Sequence, residues 1–337
     1  MVTINKRICY LDALKGLAIL LMVMRHVLSD TYGDWNYLLD KWCTMSDSLV
    51  YSSVLWKFIY SFHMPLLFFI SGYLFYKPRR YDAKFCCDSI RKRLIRLMVP
   101  YVATGFLLYL YKGVFGYWFL CVLFLTNVIV TLCLLLLEHF KLERMRWNIL
   151  ALGMVYLILL YYKGTVNFMP DYTFQMVTCY PAFALGLLLR KYPHLADVME
   201  NKFLCIIYLA IYVSAFVYLN YHSLGERYIE PVMVLSIVLF FFVSFRKMSE
   251  ASWSGMEGRF LMEIGKYSME IYILHIFFII KIPAVGDYIL SLDDFPTSIA
   301  LQSAYSLALA FLAIKLSLYV SKFLSGSELF NKLFFGK

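Results

Sequence analysis

The chain has 337 residues, 62% hydrophobic and 19% aromatic with only 16% charged, and a mean hydropathy of +0.69. That balance excludes a soluble globular domain and predicts an all-α integral membrane protein that crosses the bilayer many times. The formal net charge of +10 would suit nucleic acid, but the basic residues cluster in short connections between apolar runs, as the positive-inside rule requires, so no nucleic-acid partner is expected.

The first run, about residues 8 to 29, contains "LDALKGLAILLMVMRH", Leu11 to His26. Lys6 and Arg7 ahead of an apolar stretch resemble a signal peptide, but charges inside the stretch and the lack of a small-residue cleavage site predict that the helix is retained. Asp12, Lys15, Arg25 and His26 are costly in hydrocarbon, and such residues are default functional candidates. Lys15 and His26 are eleven residues apart, so they lie about 20° apart in azimuth and about 16 Å apart along the axis, on one face. Asp12, three residues before Lys15, is placed to pair with it. A plainer alternative has Asp12 and Lys15 reaching for the inner interface and His26 capping the outer end in water.

The second run, 53 to 76, places His63 two residues before Pro65, which removes a backbone donor and frees a carbonyl. His63 then either lines a cavity or satisfies the loosened backbone; Ser71 and Gly72 suggest close helix packing. The basic segment after it, "KPRRYDAKFCCDSIRKRLIRLMVPY", enters the third run, 94 to 112, with Arg93 and Arg96 three residues apart. Two guanidinium groups on neighbouring turns suit a ligand with several phosphates; topology and attraction to anionic lipid explain most of the segment, though Arg96 less well. A tight "KGVFGYW" turn makes a hairpin with the fourth run, 114 to 137.

Runs at 147 to 162, 172 to 190, 203 to 222 and 228 to 245 follow, the first of them short for a span. The ninth, 261 to 282, carries Glu270 and His275. Ser268, Tyr272 and His275 fall on one stripe at spacings of four and three, with Glu270 pointing elsewhere; a polar network that only orients helices is the alternative reading. The tenth run is 297 to 322. Lys and Arg crowd alternate connections while the others are nearly bare of them, which predicts a bundle of about ten transmembrane helices with both termini cytoplasmic.

Eight cysteines, at 9, 43, 86, 87, 121, 133, 179 and 205, form no CxxC pair and no Cys/His cluster at zinc spacing, so neither a metal site nor a disulfide framework is expected. Nucleotide-binding loops and serine-nucleophile motifs are absent as well.

Taken in order, "LDALKGLAILLMVMRH", "FHMPLLFFISGYLF", "RKRLIRLMVPY", "YWFL" and "IGKYSMEIYILH" resemble the membrane-bound acyltransferase-3 family, most of all its stand-alone glycan and fucose O-acetylase branch. The resemblance runs from the first span to the ninth and rests on the motifs together. It implies that Lys15, where the family often has Arg, and His26 match the family's basic residue and histidine, and that Arg93 and Arg96 match its basic pair. It also implies an O-acyltransferase of the plasma (inner) membrane that moves an acyl group, acetyl, from cytoplasmic acyl-CoA to a hydroxyl of a cell-surface or lipid-linked glycan. No permanently bound cofactor is implied.

On this reading residues 1–337 form a single membrane acyltransferase domain without the extra esterase-like domain that some members carry. Arg93, Arg96 and Lys15 are expected at the CoA phosphates, with the pantetheine arm directed toward His26 as general base, a role suited to a group whose ordinary pKa is near neutrality. His63 and His275 are candidates for positioning or for the oxyanion, with Asp12, Ser71, Trp118 of "YWFL", Ser268, Glu270 and Tyr272 in support. The rival from another class is a secondary transporter built around the same buried groups and the proline-broken helix. A structural or regulatory membrane protein is a third possibility, though the short loops offer little of a partner domain.

Overall fold

The computed structural model describes residues 9–32, 47–113, 115–142, 144–165, 170–221, 226–248, 250–292 and 294–337. Lys6, Arg7 and Cys43 of the sequence reading lie outside them. Among the described residues the regular structure is helical throughout. In chain order the helices are α1 (Cys9–Tyr32), α2 (Asp47–Phe75), α3 (Ala83–Arg93), α4 (Val99–Lys112), α5 (Trp118–His139), α6 (Met145–Thr165), α7 (Pro170–Lys191), α8 (Pro193–Met199) and α9 (Lys202–Tyr221). They continue with α10 (Glu226–Lys247), α11 (Glu250–Ser254), α12 (Met256–Lys266), α13 (Ser268–Leu274), α14 (Pro283–Leu290), α15 (Phe295–Leu324) and α16 (Glu328–Phe335).

Among the described residues seven helical stretches are long and apolar enough to cross a membrane: Val54–Phe75, Ala83–Lys112, Trp118–His139, Met145–Lys163, Lys202–Leu219, Tyr228–Lys247 and Phe295–Leu324. The protein is an all-α membrane protein. α1 and α7 also have crossing length, about 36 and 33 Å at 1.5 Å per residue, but α1 carries Asp12, Lys15, Arg25 and Asp30. The ninth run differs from its expectation as one continuous span. It is the end of α12, a break at Tyr267 (φ −104°, ψ 27°), α13 and a single 3₁₀ turn at His275–Phe277, with α14 following from Pro283. α12 is amphipathic, with Arg259, Glu263 and Lys266 on its polar side, and ends where Ser268 opens a helix that is buried almost all round.

The chain divides into two compact units, one of residues 1–64 with 244–323, the other of 65–243 with 324–337. In the first, α1 packs along α12. Gly16 faces the carbonyl of Leu261 and Gly265 the carbonyl of Asp12, each so closely that a Cβ would overlap the opposing backbone. Small residues that let backbones touch are how helices associate where lipid leaves little hydrophobic drive. Every described side chain of α1 from Tyr10 to Thr31 is buried or half-buried, which is why this helix tolerates charges that a lipid-facing helix would not.

In the second unit the α2 segment from Pro65 packs on α7 through Gly72 and Gly186, which approach the carbonyls of Phe183 and Phe69. Phe69 and Tyr73 meet Phe242 of α10 with ring centroids 5.0 and 5.6 Å apart. α3 joins α4 through a π turn at Leu94–Met98, so the basic segment read from sequence as a connection is helical from Ala83 onward. α16 packs on α4 with Phe335 buried, while α6 and α9 leave most of their apolar surface uncovered by protein.

Candidate active site

In the first unit, the buried length of α1 brings Arg25 and His26 beside residues of α2 and α13. The imidazoles of His26 and His275 lie 5.1 Å apart, centroid to centroid, tilted by 50°. Tyr272 adds a third ring 6.3 Å from His275. Nη1 of Arg25 is 3.4 Å from both ring nitrogens of His26, an equidistance that places the guanidinium off the axis of either lone pair.

Arg25 is held from the other side by aromatics. Its guanidinium carbon lies 5.1 Å from the Trp56 centroid and 5.2 Å from that of Tyr60, and these two rings stack at 4.9 Å and 14°. The Trp56 indole N–H donates to Ser29 Oγ at 2.8 Å, and Ser29 donates back to the Arg25 carbonyl at 3.1 Å. The aromatic platform is thereby tied to the backbone of the residue it holds.

His63 and His275 are built alike. In each, Nδ1–H donates to the carbonyl four residues earlier, Ile59 at 2.8 Å and Ile271 at 3.0 Å, since a carbonyl can only accept. Each neutral ring therefore keeps its lone pair on Nε2. Each also follows a tyrosine by three residues, with Tyr60 6.0 Å from His63. The carbonyl that Pro65 deprives of its helical donor is that of Ser61, four residues before it, so His63 bonds the backbone two residues away from the loosened position.

Asp12 and Lys15 form an ion pair of 2.7 Å. Asp12 is only 7% exposed and its carbonyl lies against Gly265, so the pair sits in the α1–α12 seam. Lys15 and His26 remain about 16 Å apart along α1, three turns of helix. Glu270 is as buried as His275, both 2% exposed, and Ser268 is half-buried.

The other expected residues belong to the second unit. The Arg93 guanidinium lies 4.1 Å over the Phe75 ring, and its buried Nη1 has no hydrogen-bond partner among the described residues. Arg96 is exposed on the π turn. A Cβ on Gly336, which has φ +62°, would come 2.5 Å from the Arg96 carbonyl oxygen, so the end of α16 rests on the backbone that carries the pair. Trp118 opens α5 half-buried behind Tyr117, whose φ of 69° turns the chain into the helix, and Ser71 is half-buried beside Gly72.

Residues 8–320 match the model of the acyltransferase-3 "Acyltransferase domain". The chain belongs to the acyltransferase-3 family. No curated protein and no solved structure matches it. The family match spans nearly the whole chain, both units included, and makes this protein a membrane acyltransferase, which decides against the transporter reading.

Within this acyltransferase the residue that sequence reasoning left without a role is Arg25, together with the Trp56–Tyr60 platform beneath it. The signal was there: Trp56, Tyr60 and His63 stand at spacings of four and three, the same pattern as Ser268, Tyr272 and His275. Two helices thus present aromatic-to-histidine stripes of identical period.

Proposed function

We propose that the protein transfers an acyl group, acetyl, from cytoplasmic acyl-CoA to a hydroxyl of a cell-surface or lipid-linked glycan, with His26 as general base. The observation that carries this reading is the grouping of His26, His275 and Arg25 in a chain of the acyltransferase-3 family. His26 takes the proton of the sugar hydroxyl as its oxygen attacks the thioester carbonyl. Negative charge gathers on the carbonyl oxygen, and the Arg25 guanidinium, already fixed between His26 and two aromatic rings, supplies the positive charge that answers it. Collapse breaks the C–S bond, and the thiolate recovers the proton from the imidazolium, leaving the ester and free CoA. His275, whose Nδ1–H is committed to Ile271, turns its Nε2 lone pair to the task of orienting the neighbouring ring.

Arg93 and Arg96 take the phosphates of CoA, and the buried Nη1 of Arg93, without a partner among the described residues, supports an anionic ligand there, because a buried donor is costly to leave unmade. Lys15 acts through its pair with Asp12, either on the donor or on the set of the helix that presents His26. The enzyme works in the plasma (inner) membrane with both termini in the cytoplasm.

The test is purified protein in vesicles with labelled acetyl-CoA and a glycan acceptor fraction. His26→Ala is expected to lower transfer by about 10²- to 10⁴-fold, the usual scale for a lost general base. Arg93→Gln with Arg96→Gln is expected to weaken acyl-CoA binding about tenfold or more, as loss of charge-assisted hydrogen bonds does. Undiminished transfer by the His26 variant would remove His26 from the mechanism.

A further inference from the structure

The hairpin of α5 and α6 carries a furrow that acyl transfer does not use. It has a volume of about 400 Å³ and is lined by Ile129, Leu132, Leu136 and Phe140 of α5 and its cap, and by Ala151 and Met154 of α6. Leu132, Leu136 and Phe140 recur every four residues, forming one stripe, and all three are exposed to the surroundings. Ala151 is the small residue opposite the stripe; a larger side chain there would fill the hollow.

The dimensions of the furrow are informative. From Ile129 to Phe140 the helix rises about 16 Å, which matches one leaflet of a hydrocarbon core about 30 Å thick. At one end the furrow meets the turn that joins the two helices, where Lys141, Arg144 and Arg146 are all exposed. Between His139 and Trp147 the sequence sets these three cations against one carboxylate, Glu143, which lies outside the described residues. The preceding acid, Glu138, is engaged by Arg80 at 3.3 Å. The Arg146 guanidinium lies 5.2 Å from the Trp147 centroid, and a tryptophan beside basic residues at a span end marks the headgroup level.

An apolar channel one leaflet deep, headed by a cationic turn at the interface, is complementary to a lipid with an acyl tail and a phosphate. We propose that the α5–α6 furrow holds an acyl chain of an anionic phospholipid whose phosphate is met by Lys141, Arg144 and Arg146. This site is independent of the catalytic reading, since none of its residues serves the transfer. A second copy of the chain, the other way to cover such a furrow, would have to bring acidic groups to the turn.

Full-length protein in detergent, doped with phosphatidylglycerol or phosphatidylcholine of the same chain length, tests it by native mass spectrometry and thermal melting. One phosphatidylglycerol per chain is expected to be retained with a preference of about tenfold or more over phosphatidylcholine, and to raise the melting temperature. Replacing Lys141, Arg144 and Arg146 together by Gln, all at exposed positions, is expected to abolish the preference. Ala151→Phe is expected to abolish retention while circular dichroism stays unchanged. Equal retention of the two lipids, retention insensitive to both variants, or a lipid-free dimer that Ala151→Phe splits would each overturn the proposal.

Discussion

A guanidinium buried inside a helix bundle is costly unless its charge and donors are met there. Arg25 meets that cost through two aromatic faces, each cation–π contact contributing about 0.5–2 kcal/mol, and through its place against His26. Simple anchoring would be served as well by a residue facing the interface; a charge held rigidly beside a candidate base has a use in the transition state. Arg25→Gln is therefore expected to lower turnover by about 10²- to 10³-fold, the scale of losing one oxyanion donor, with the KM for acyl-CoA little changed and Arg25→Lys recovering part of the loss. Steady-state kinetics on the two variants check this, and wild-type turnover in Arg25→Gln would reduce the residue to a structural ion. The helical wheel hid this role because it assigns directions to Cβ atoms. Arg25 and His26 leave the axis 100° apart, and only the long arginine side chain brings the two groups back together.

At the scale of elements, α1 depends on α12. Gly16 and Gly265 mark a backbone-to-backbone approach, and the Asp12–Lys15 pair lies in the same seam. Gly16→Val is expected to force the helices apart and to cost about 1–3 kcal/mol, as overpacking does, seen as a lower melting temperature in detergent. The same substitution should lower transfer, since α1 positions His26. Sequence reading located α1, α15 and the end of α2 to within a few residues because their apolar runs are long, and began α2 six residues late because its first turn, from Asp47, is polar. It missed the break at Tyr267 because an uninterrupted apolar count carries no information on where two helices part company. It likewise read Ala83–Arg93 as a connection because that helix is amphipathic and basic, and a hydropathy search for spans passes over such segments.

Across the whole molecule, the two units each have their own packing, and α2, α10 and α15 pass from one to the other near Pro65, Ser244 and Leu324. The proposed phosphate-binding pair belongs to one unit and the His26 grouping to the other. Lys and Arg crowd alternate connections along the chain, and fusions of a compartment-sensitive reporter to the first and last residues are expected to report the cytoplasmic face at both ends. A periplasmic or extracellular signal from either terminus would reverse the assignment of inner and outer mouths.

What the sequence by itself determined is the class of molecule and its family. The surplus of apolar residues forces helices into lipid, and the motifs from Leu11 to His275 match the acyltransferase-3 family across the span that the family model covers. The spacing of Lys15 and His26, and the tyrosine-to-histidine stripe on the ninth run, were legible from helical period alone. Only the tertiary structure decided which of the costly residues meet. Ring distances between His26 and His275, the hold of Trp56 and Tyr60 on Arg25, and the rest of Gly336 on the Arg96 backbone join residues from about 30 to 250 positions apart. Periodicity is a property of one helix, whereas a site is made by side chains of several helices packed against one another.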